Sequence, residues 1–433
     1  MSKVELANIS RIHFIGIGGV GMSALARFFL TEKKVVSGSD RAGSAITDAL
    51  AAEGVKIYTE QVAGNITEDI DLVIYTEAMS HDHEEMVAAK RHTAPMMNYF
   101  DALGLAMNPY YLIAVAGTHG KTTTTAMLTD IFEAAGKDPT AIIGSLRATT
   151  KSNHRVGKSK YAIVEACEYK RDFLSLKPDV LVITNVEYEH ADYYHSLEDV
   201  QSAFRELVLQ VNEGGVVVAN TKDPAILPII EGLKDVVDYT EFIDLKLPLK
   251  QPGFHNRLNG AAALAVAAHE RLETGVVRDA LSNFAGTWRR FEYKGDFKTM
   301  QGVPVYDDYA HHPTEIKATL EGVRELYPER DITIVFEPHT FSRTATLFQE
   351  FAKAFAHADR VILLPIYAAR EDNPKGVSSR ELAVKALEYN KNVLYLPTYE
   401  DAITTLTDAT KANDVIVVLG AGNITMLATD LVQ

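Results

Sequence analysis

The chain has 433 residues, 47% hydrophobic and 23% charged, an ordinary globular balance that excludes a largely disordered or low-complexity protein. At roughly 150 residues per domain the length predicts about three domains rather than one uninterrupted core. With 43 basic and 58 acidic residues the formal charge is −15, which argues against nucleic acid as a partner but leaves room for a local basic cleft holding small phosphates. The single cysteine, Cys167, excludes an internal disulfide and fits a reducing compartment. Neither a secretory leader within Met1 to Ile15 nor a run of about 18 apolar residues is present, so the expectation is a cytoplasmic protein without membrane insertion.

Along the chain, short apolar runs alternate with helical patterns, the signature of βαβ units and parallel sheets. The first set of strand candidates is Arg11 to Ile15, Lys34 to Ser37, Val55 to Tyr58 and Asp71 to Tyr75, with an amphipathic helix over Met22 to Leu30. After Asn108-Pro109 a new unit starts with a buried strand at Tyr111 to Ala116 and a helix at Lys121 to Ala135. It continues through strands at Tyr161 to Glu165, Val180 to Thr184 and Val216 to Ala219. Leu245 to Gly253 reads as a loop before an alanine-rich helix over Asn256 to Leu272. A third set begins near Trp288 and runs through Pro304 to Asp307, Ile332 to Phe336, Arg360 to Leu364, Val393 to Leu396 and Val415 to Leu419. The fold expected is α/β with three domains, 1–108, 109–287 and 288–433: Rossmann-like, P-loop ATPase with a mostly parallel sheet, and Rossmann-like again.

Two glycine loops carry the chemistry. Gly16, Gly18, Gly19, Val20 and Gly21 lie in a G-x-G-x-x-G pattern between a strand and a helix, with Asp40 about 20 residues on. Missing side chains let backbone approach a pyrophosphate, and the helix N-terminus offers free N–H groups; the bland alternative is a tight turn with packing glycines. Gly117, Thr118, His119, Gly120, Lys121 and Thr122 form a shortened Walker-type loop, with Val115 where the first glycine of the full pattern stands. Backbone amides there cradle phosphates, Lys121 supplies a point charge and the Thr122 hydroxyl suits Mg²⁺. A dehydrogenase would leave the second loop idle, and a simple ATPase the first.

At these residues the chain resembles the Mur ligases. GIGGVGMSALA (Gly16 to Ala26) and AGTHGKTTTTAM (Ala116 to Met127) are followed in the family's order by PGFHNRLNGAAA, WRRFE, DDYAHHPTEI, EPHTFSRT, IYAARE and LGAGNI, so the resemblance spans essentially the whole chain. It implies an ATP-dependent, amide-bond-forming ligase of peptidoglycan precursor synthesis that joins L-alanine to UDP-N-acetylmuramate through an acyl phosphate, releasing ADP and phosphate. The three domains would take the nucleotide sugar, ATP and the amino acid in turn. The cofactors implied are ATP and Mg²⁺, one ion or two, with Mn²⁺ as a substitute, and the assembly a monomer or homodimer.

The resemblance also implies roles position by position. Thr122, Glu165 and His190 match metal-binding positions, and Thr123 extends the ATP loop. His255, Asn256 and Asn259 match an adenine-contacting HNxxN, against the simpler reading of Asn256 as a helix cap. Arg290 matches an arginine reaching the ATP phosphates, and Asp308 an acid near the ribose or that arginine. His311, His339 and Arg343 match residues that orient L-alanine, Arg343 pairing its carboxylate in a bidentate fork. The catalytic set is thus Lys121, Glu165, His190, Arg290, His311, His339 and Arg343, and the nucleotide-sugar contacts come from the first loop and Asp40.

Departures from the family's usual pattern cluster at Glu165 to Asp172, where Cys167 replaces an acid and Lys170-Arg171 adds two cations. Glu189 precedes His190 in place of an aspartate, and Thr76 to Asp101 matches poorly. The runner-up within the family joins a recycled tripeptide to the same sugar nucleotide. Outside it stand a nicotinamide oxidoreductase resting on the first loop and Asp40, and a silent nucleotide-binding scaffold.

Overall fold

In the first sheet, β1 (Arg11–Ile15), β2 (Val35–Ser39), β3 (Lys56–Tyr58), β4 (Leu72–Tyr75) and β5 (Met96–Asn98) lie all parallel in the order β3-β2-β1-β4-β5. The order reverses at β1, so a crevice opens beyond its carboxyl end. The helix Val20–Thr31 starts there and buries Met22, Leu25, Phe28 and Phe29. The computed structural model describes residues 4–369, 371–373 and 376–433; Met1 to Lys3 at the N-terminus and Arg370 of the IYAARE motif lie outside them.

The second sheet holds β6 (Tyr111–Ala116), β7 (Thr140–Ile142), β8 (His154–Arg155), β9 (Tyr161–Glu165), β10 (Val180–Ile183), β11 (Val216–Ala219) and β12 (Val236–Asp238) in the order β12-β11-β10-β6-β9-β7-β8. All pairs are parallel except β7 with β8. A parallel sheet is covered on both faces, which is why β6 and β10 read as unbroken apolar runs. The helix Lys121–Ala134 follows β6 despite four consecutive threonines, poor helix formers because of their branched Cβ. Burial decides the matter, and the Thr125 and Thr129 hydroxyls bond back to the carbonyls of Lys121 and Thr125 at 2.8 and 2.7 Å.

The third sheet comprises β13 (Glu292–Phe297), β14 (Met300–Asp308), β15 (Asp331–Phe336), β16 (Arg360–Leu363), β17 (Val393–Tyr395) and β18 (Asp414–Leu419), ordered β13-β14-β18-β15-β16-β17. An antiparallel β13–β14 hairpin closes one edge of an otherwise parallel sheet. Phe336, Phe351 and Phe355 are fully buried on one face, and Val335, Ile362, Ile416 and Leu427 on the other.

By contact density the chain separates into two units, Met1–Glu187 with Val200–Phe242 and Ala261–Leu281, and Tyr188–Asp199 with Ile243–Gly260 and Ser282–Gln433. The first carries two sheets and the second carries one. The strands read from sequence recur within one or two residues, Pro304 to Asp307 being the inner part of the longer β14, and the helix expected at Asn256 starts two residues earlier, as Phe254–His269. Five strands were not anticipated: β5, β7, β8, β12 and β13. Four of them have only two or three residues, too few for a period to register, and β13 is a charged, half-exposed hairpin arm.

Candidate active site

The first loop turns on Gly16, whose φ of +83° an L side chain resists, and where an added Cβ would meet the Thr76 methyl at 2.5 Å. Its amides are engaged inward. Gly16 and Ile17 donate to the Ser39 carbonyl at 2.9 and 3.0 Å, and Gly18 donates to Asp40 Oδ2 at 2.8 Å. Asp40, expected as a ligand contact, therefore braces the loop with one of its oxygens. Gly19 caps the helix and the first intrahelical bond is Ser23 N–H to the Gly19 carbonyl, so Val20, Gly21 and Met22 are the N–H donors that helix geometry leaves without an intrahelical acceptor. Gly21 is small for a different reason than a ligand: a Cβ would sit 2.8 Å from the Tyr99 ring.

The second loop follows the same plan with other parts. Gly117, at φ +133°, passes so close to Thr184 that a Cβ would overlap its hydroxyl. His119 N–H donates to Asn185 Oδ1 at 2.9 Å, its carbonyl accepts from Asn185 Nδ2 at 3.0 Å, and Thr118 N–H donates to the Asn185 carbonyl at 3.0 Å. Gly120, at φ +83°, caps the helix, leaving the first-turn amides of Lys121, Thr122 and Thr123 beyond the intrahelical ladder. Lys121 Nζ reaches the Gly117 and Thr118 carbonyls and both oxygens of Glu168, at 3.1 and 2.9 Å. Burial opposes its charge, but Glu168 and the neighbouring Cys167 and Glu165 outweigh that and hold its pKa above the ordinary value.

Thr122 Oγ1 donates to Glu165 Oε2 at 3.1 Å, and the other Glu165 oxygen accepts from Gly144 N–H. A carboxylate at the carboxyl end of β9 and a hydroxyl in the first turn of the helix that follows the adjacent β6 are the hard oxygen donors that Mg²⁺ prefers. Gly144 completes the fit, because a Cβ there would lie 2.6 Å from the carboxylate. Cys167 is no nucleophile: burial, then Glu168, pushes its thiol up to about 12. His190, which adopts φ +56° and whose carbonyl accepts from Tyr193 and Tyr194 N–H at 2.8 and 2.9 Å, belongs to the second unit.

In the second unit, three residues beyond β14 stands His311 and three beyond β15 stands His339, their rings 6.2 Å apart. His339 stacks on Tyr367 at 5.5 Å, while His311 Nδ1 lies 2.9 Å from the Tyr309 carbonyl. Burial holds both imidazoles neutral, down to about 3 for His311 and about 4 for His339. Arg343 lies on the short helix Phe341–Thr346, capped by Thr340. Its guanidinium bonds Glu189 Oε1 through Nε at 2.9 Å and Nη2 at 2.7 Å, and the His339 carbonyl at 3.3 Å. Glu315 contacts the backbone N–H of His311 at 3.0 Å and lies 3.7 Å from Arg290.

Arg289 and Arg290 both lie beside the Tyr309 ring, at 5.1 and 5.0 Å, but they divide in role. Arg289 is buried and bonds the Gly420 and Gly422 carbonyls, a fixture of the fold, whereas Arg290 is more open. Asp308, expected near the ribose or Arg290, is engaged by backbone amides. Its two oxygens accept from Phe291 and Ala310 N–H at 2.9 and 2.7 Å, and burial raises its pKa to about 6 despite Arg290. Asn256 is not the helix cap either: its amide donates to the Pro252 carbonyl at 2.8 Å from inside the helix, and Asn259 donates to Asn256 Oδ1 at 3.3 Å. At the same helix start a Cβ on Gly253 would meet the His255 ring at 2.6 Å.

Sequence reasoning assigned no role to Glu168, Asn185, Glu315 or Glu189. Glu168 and Asn185 follow strand ends beside β6, and that position is the one signal that could have found them.

Models of three Mur ligase domains match the chain: the family's catalytic domain over residues 11–111, its middle domain over 115–241, and its glutamate ligase domain over 289–422. The UDP-N-acetylmuramate--L-alanine ligase of Lachnospira eligens is 39% identical over 465 aligned positions, covering 100% of both chains. The crystal structure of UDP-N-acetylmuramate-alanine ligase from Thermotoga maritima superposes with a TM-score of 0.81 at 28% identity over 98% of each chain. A murein peptide ligase from Psychrobacter arcticus shares the fold, with a TM-score of 0.69 at 24% identity over 98% of this chain and 100% of that one. The chain belongs to the Mur ligase family, on the branch of the UDP-N-acetylmuramate–L-alanine ligases.

Proposed function

We infer that the protein is an ATP-dependent ligase that joins L-alanine to UDP-N-acetylmuramate in peptidoglycan precursor synthesis. The observation that carries the reading is the pairing of two anion-ready helix starts within one unit, of which only the second bears a cation, Lys121, and an oxygen-donor pair, Thr122 and Glu165. A dehydrogenase has no use for the second and an ATPase none for the first. Segments 1–108, 109–287 and 288–433 take the nucleotide sugar, ATP and the amino acid respectively.

In this reading the N–H groups of Val20, Gly21 and Met22 receive the diphosphate of the nucleotide sugar. Gly117 to Thr123 receive the phosphates of ATP, with Lys121 exchanging Glu168 for the terminal phosphates, and Arg290 adds charge to them. His255, Asn256 and Asn259 contact the adenine. Thr122 and Glu165 would hold Mg²⁺, with His190 assigned to a second ion; Mn²⁺ suits the same donors. Such an ion supplies charge neutralisation on the phosphates. The muramate carboxylate attacks the γ-phosphorus, forming the acyl phosphate and releasing ADP. The alanine amine then attacks the acyl carbon, forming the amide and expelling phosphate. Arg343 orients the alanine carboxylate, and His311 and His339, held neutral, line the amine's approach without adding charge. With ATP as co-substrate and one cysteine, the site of action is the cytoplasm.

Phosphate release tests this. It is expected only when UDP-N-acetylmuramate, L-alanine, ATP and Mg²⁺ are all present, and release driven instead by a tripeptide would shift the assignment to the murein-peptide branch. Glycine and serine belong in the panel, because one methylene less or one hydroxyl more in an apolar pocket discriminates by only about 1 to 3 kcal/mol.

A further inference from the structure

A continuous line of hydrogen bonds links the two loops inside the first unit. It begins at the Val20 carbonyl, in the first turn after the first glycine loop, which accepts from Asn153 Nδ2 at 2.7 Å. The Asn153 carbonyl accepts from Ile143 N–H at 2.8 Å, and the next residue, Gly144, donates to Glu165 Oε1. Glu165 Oε2 in turn accepts from Thr122 Oγ1 at 3.1 Å, in the second loop's helix. Asn153 is 2% exposed, so its amide is not exchanging this partner for water.

The segment 143–153 that carries this line is tied down at several points. Arg147 N–H bonds the Ser152 carbonyl at 3.0 Å and Lys151 N–H returns to the Arg147 carbonyl at 2.9 Å, folding the segment on itself. The buried Arg147 guanidinium is anchored on Asp130, at 2.7 Å, and on Glu133, both from the helix Lys121–Ala134 that the second loop caps. Hydrogen-bond networks and packed elements of this kind carry energetic coupling where both sites bias them. Gly144 has no Cβ to hold Glu165 off, so a shift of the segment acts on that carboxylate directly.

We propose that Asn153 is a positioning residue that couples nucleotide-sugar binding at the first loop to the setting of Glu165 at the second. The proposal rests on the functional reading above. An anion drawn onto the Val20, Gly21 and Met22 amides shifts the helix start, the Val20 carbonyl carries Asn153 with it, and Glu165 is set for the nucleotide. Coupling is reciprocal: each ligand strengthens the other by the same factor.

Calorimetric titration of the full chain with ADP and Mg²⁺, with and without saturating UDP-N-acetylmuramate, measures that factor. For the unaltered protein the expected mutual strengthening is about tenfold. Asn153→Asp keeps the side-chain shape but removes the donor, and Asn153→Ala removes both. In both variants the factor should fall to about one while ADP binding in the absence of the sugar nucleotide stays within about twofold of the unaltered protein. Retention of the full factor in the variants overturns the proposal, as does a loss of ADP affinity on its own, which marks a merely structural role. Absence of coupling in an unaltered protein that turns over normally overturns the proposal alone. Failure of the unaltered protein to bind UDP-N-acetylmuramate at all overturns the functional reading with it.

Discussion

The two glycine loops of the first unit are built alike and equipped differently. Each leaves the carboxyl end of an inner parallel strand, turns on a glycine at positive φ, ties its amides back to the neighbouring strand's end, and leaves a helix's first-turn amides beyond the intrahelical ladder. The first is braced by a carboxylate, Asp40, and carries no lysine or arginine between Gly16 and Gly21. The second is braced by a neutral amide, Asn185, and carries Lys121 on a buried partner, Glu168. Backbone amides alone suffice to hold a diphosphate whose charge does not change. A transferring phosphoryl group develops charge in the transition state, and there a preorganised cation is needed.

Removing the cation breaks the comparison most severely. Lys121→Ala should lower kcat for phosphate release about a thousandfold, near 4 kcal/mol of transition-state stabilisation, while leaving UDP-N-acetylmuramate affinity in equilibrium binding within about twofold. Near-normal turnover would refute the division of labour. Next comes the amino-acid side, outside both loops. Arg343→Ala removes charge-assisted bonds and should raise the KM for L-alanine about a hundredfold with little change in that for ATP; equal effects on both would count against its role.

A smaller effect sharpens the first loop. Gly21→Ala improves helix propensity by about 1 kcal/mol but drives a methyl into the Tyr99 ring, an overlap costing about 1 to 3 kcal/mol. The KM for UDP-N-acetylmuramate should rise about tenfold and that for ATP stay constant. The smallest effect is pH dependence arising outside both loops. His311 and His339 titrate near 3 and 4 in the folded chain against an ordinary 6.5, so the unfolded state binds more protons in that window. Their contribution to stability is complete above 6.5 and is lost as pH falls through the window; a melting-temperature series for His311→Gln against the unaltered protein should show a shallower acid slope in the variant.

What was legible in the sequence follows from what repeats or is rare. Buried parallel strands such as β6 and β18 are unbroken apolar runs, and glycines at fixed offsets before a helix mark a strand-to-helix loop, so both were readable from residue order alone. The short edge strands β5, β8 and β12 were not, because they owe their pairing to neighbours distant in sequence. The same holds for partners. Lys121 was found by its spacing, whereas Glu168, 47 residues on, is its partner only through the fold. Asp40 and Asp308 were located as acids of interest, but their engagement with backbone amides depends on turns that residue types alone do not specify.

In the inferred reaction the muramate carboxylate is activated by phosphorylation rather than ATP being hydrolysed by water. Turnover of UDP-N-acetylmuramate carrying heavy oxygen in the muramate carboxylate, with L-alanine and ATP, tests it by mass spectrometry of the released phosphate. The mechanism predicts one carboxylate oxygen in every phosphate released, with the other retained in the amide; phosphate free of the label would contradict it.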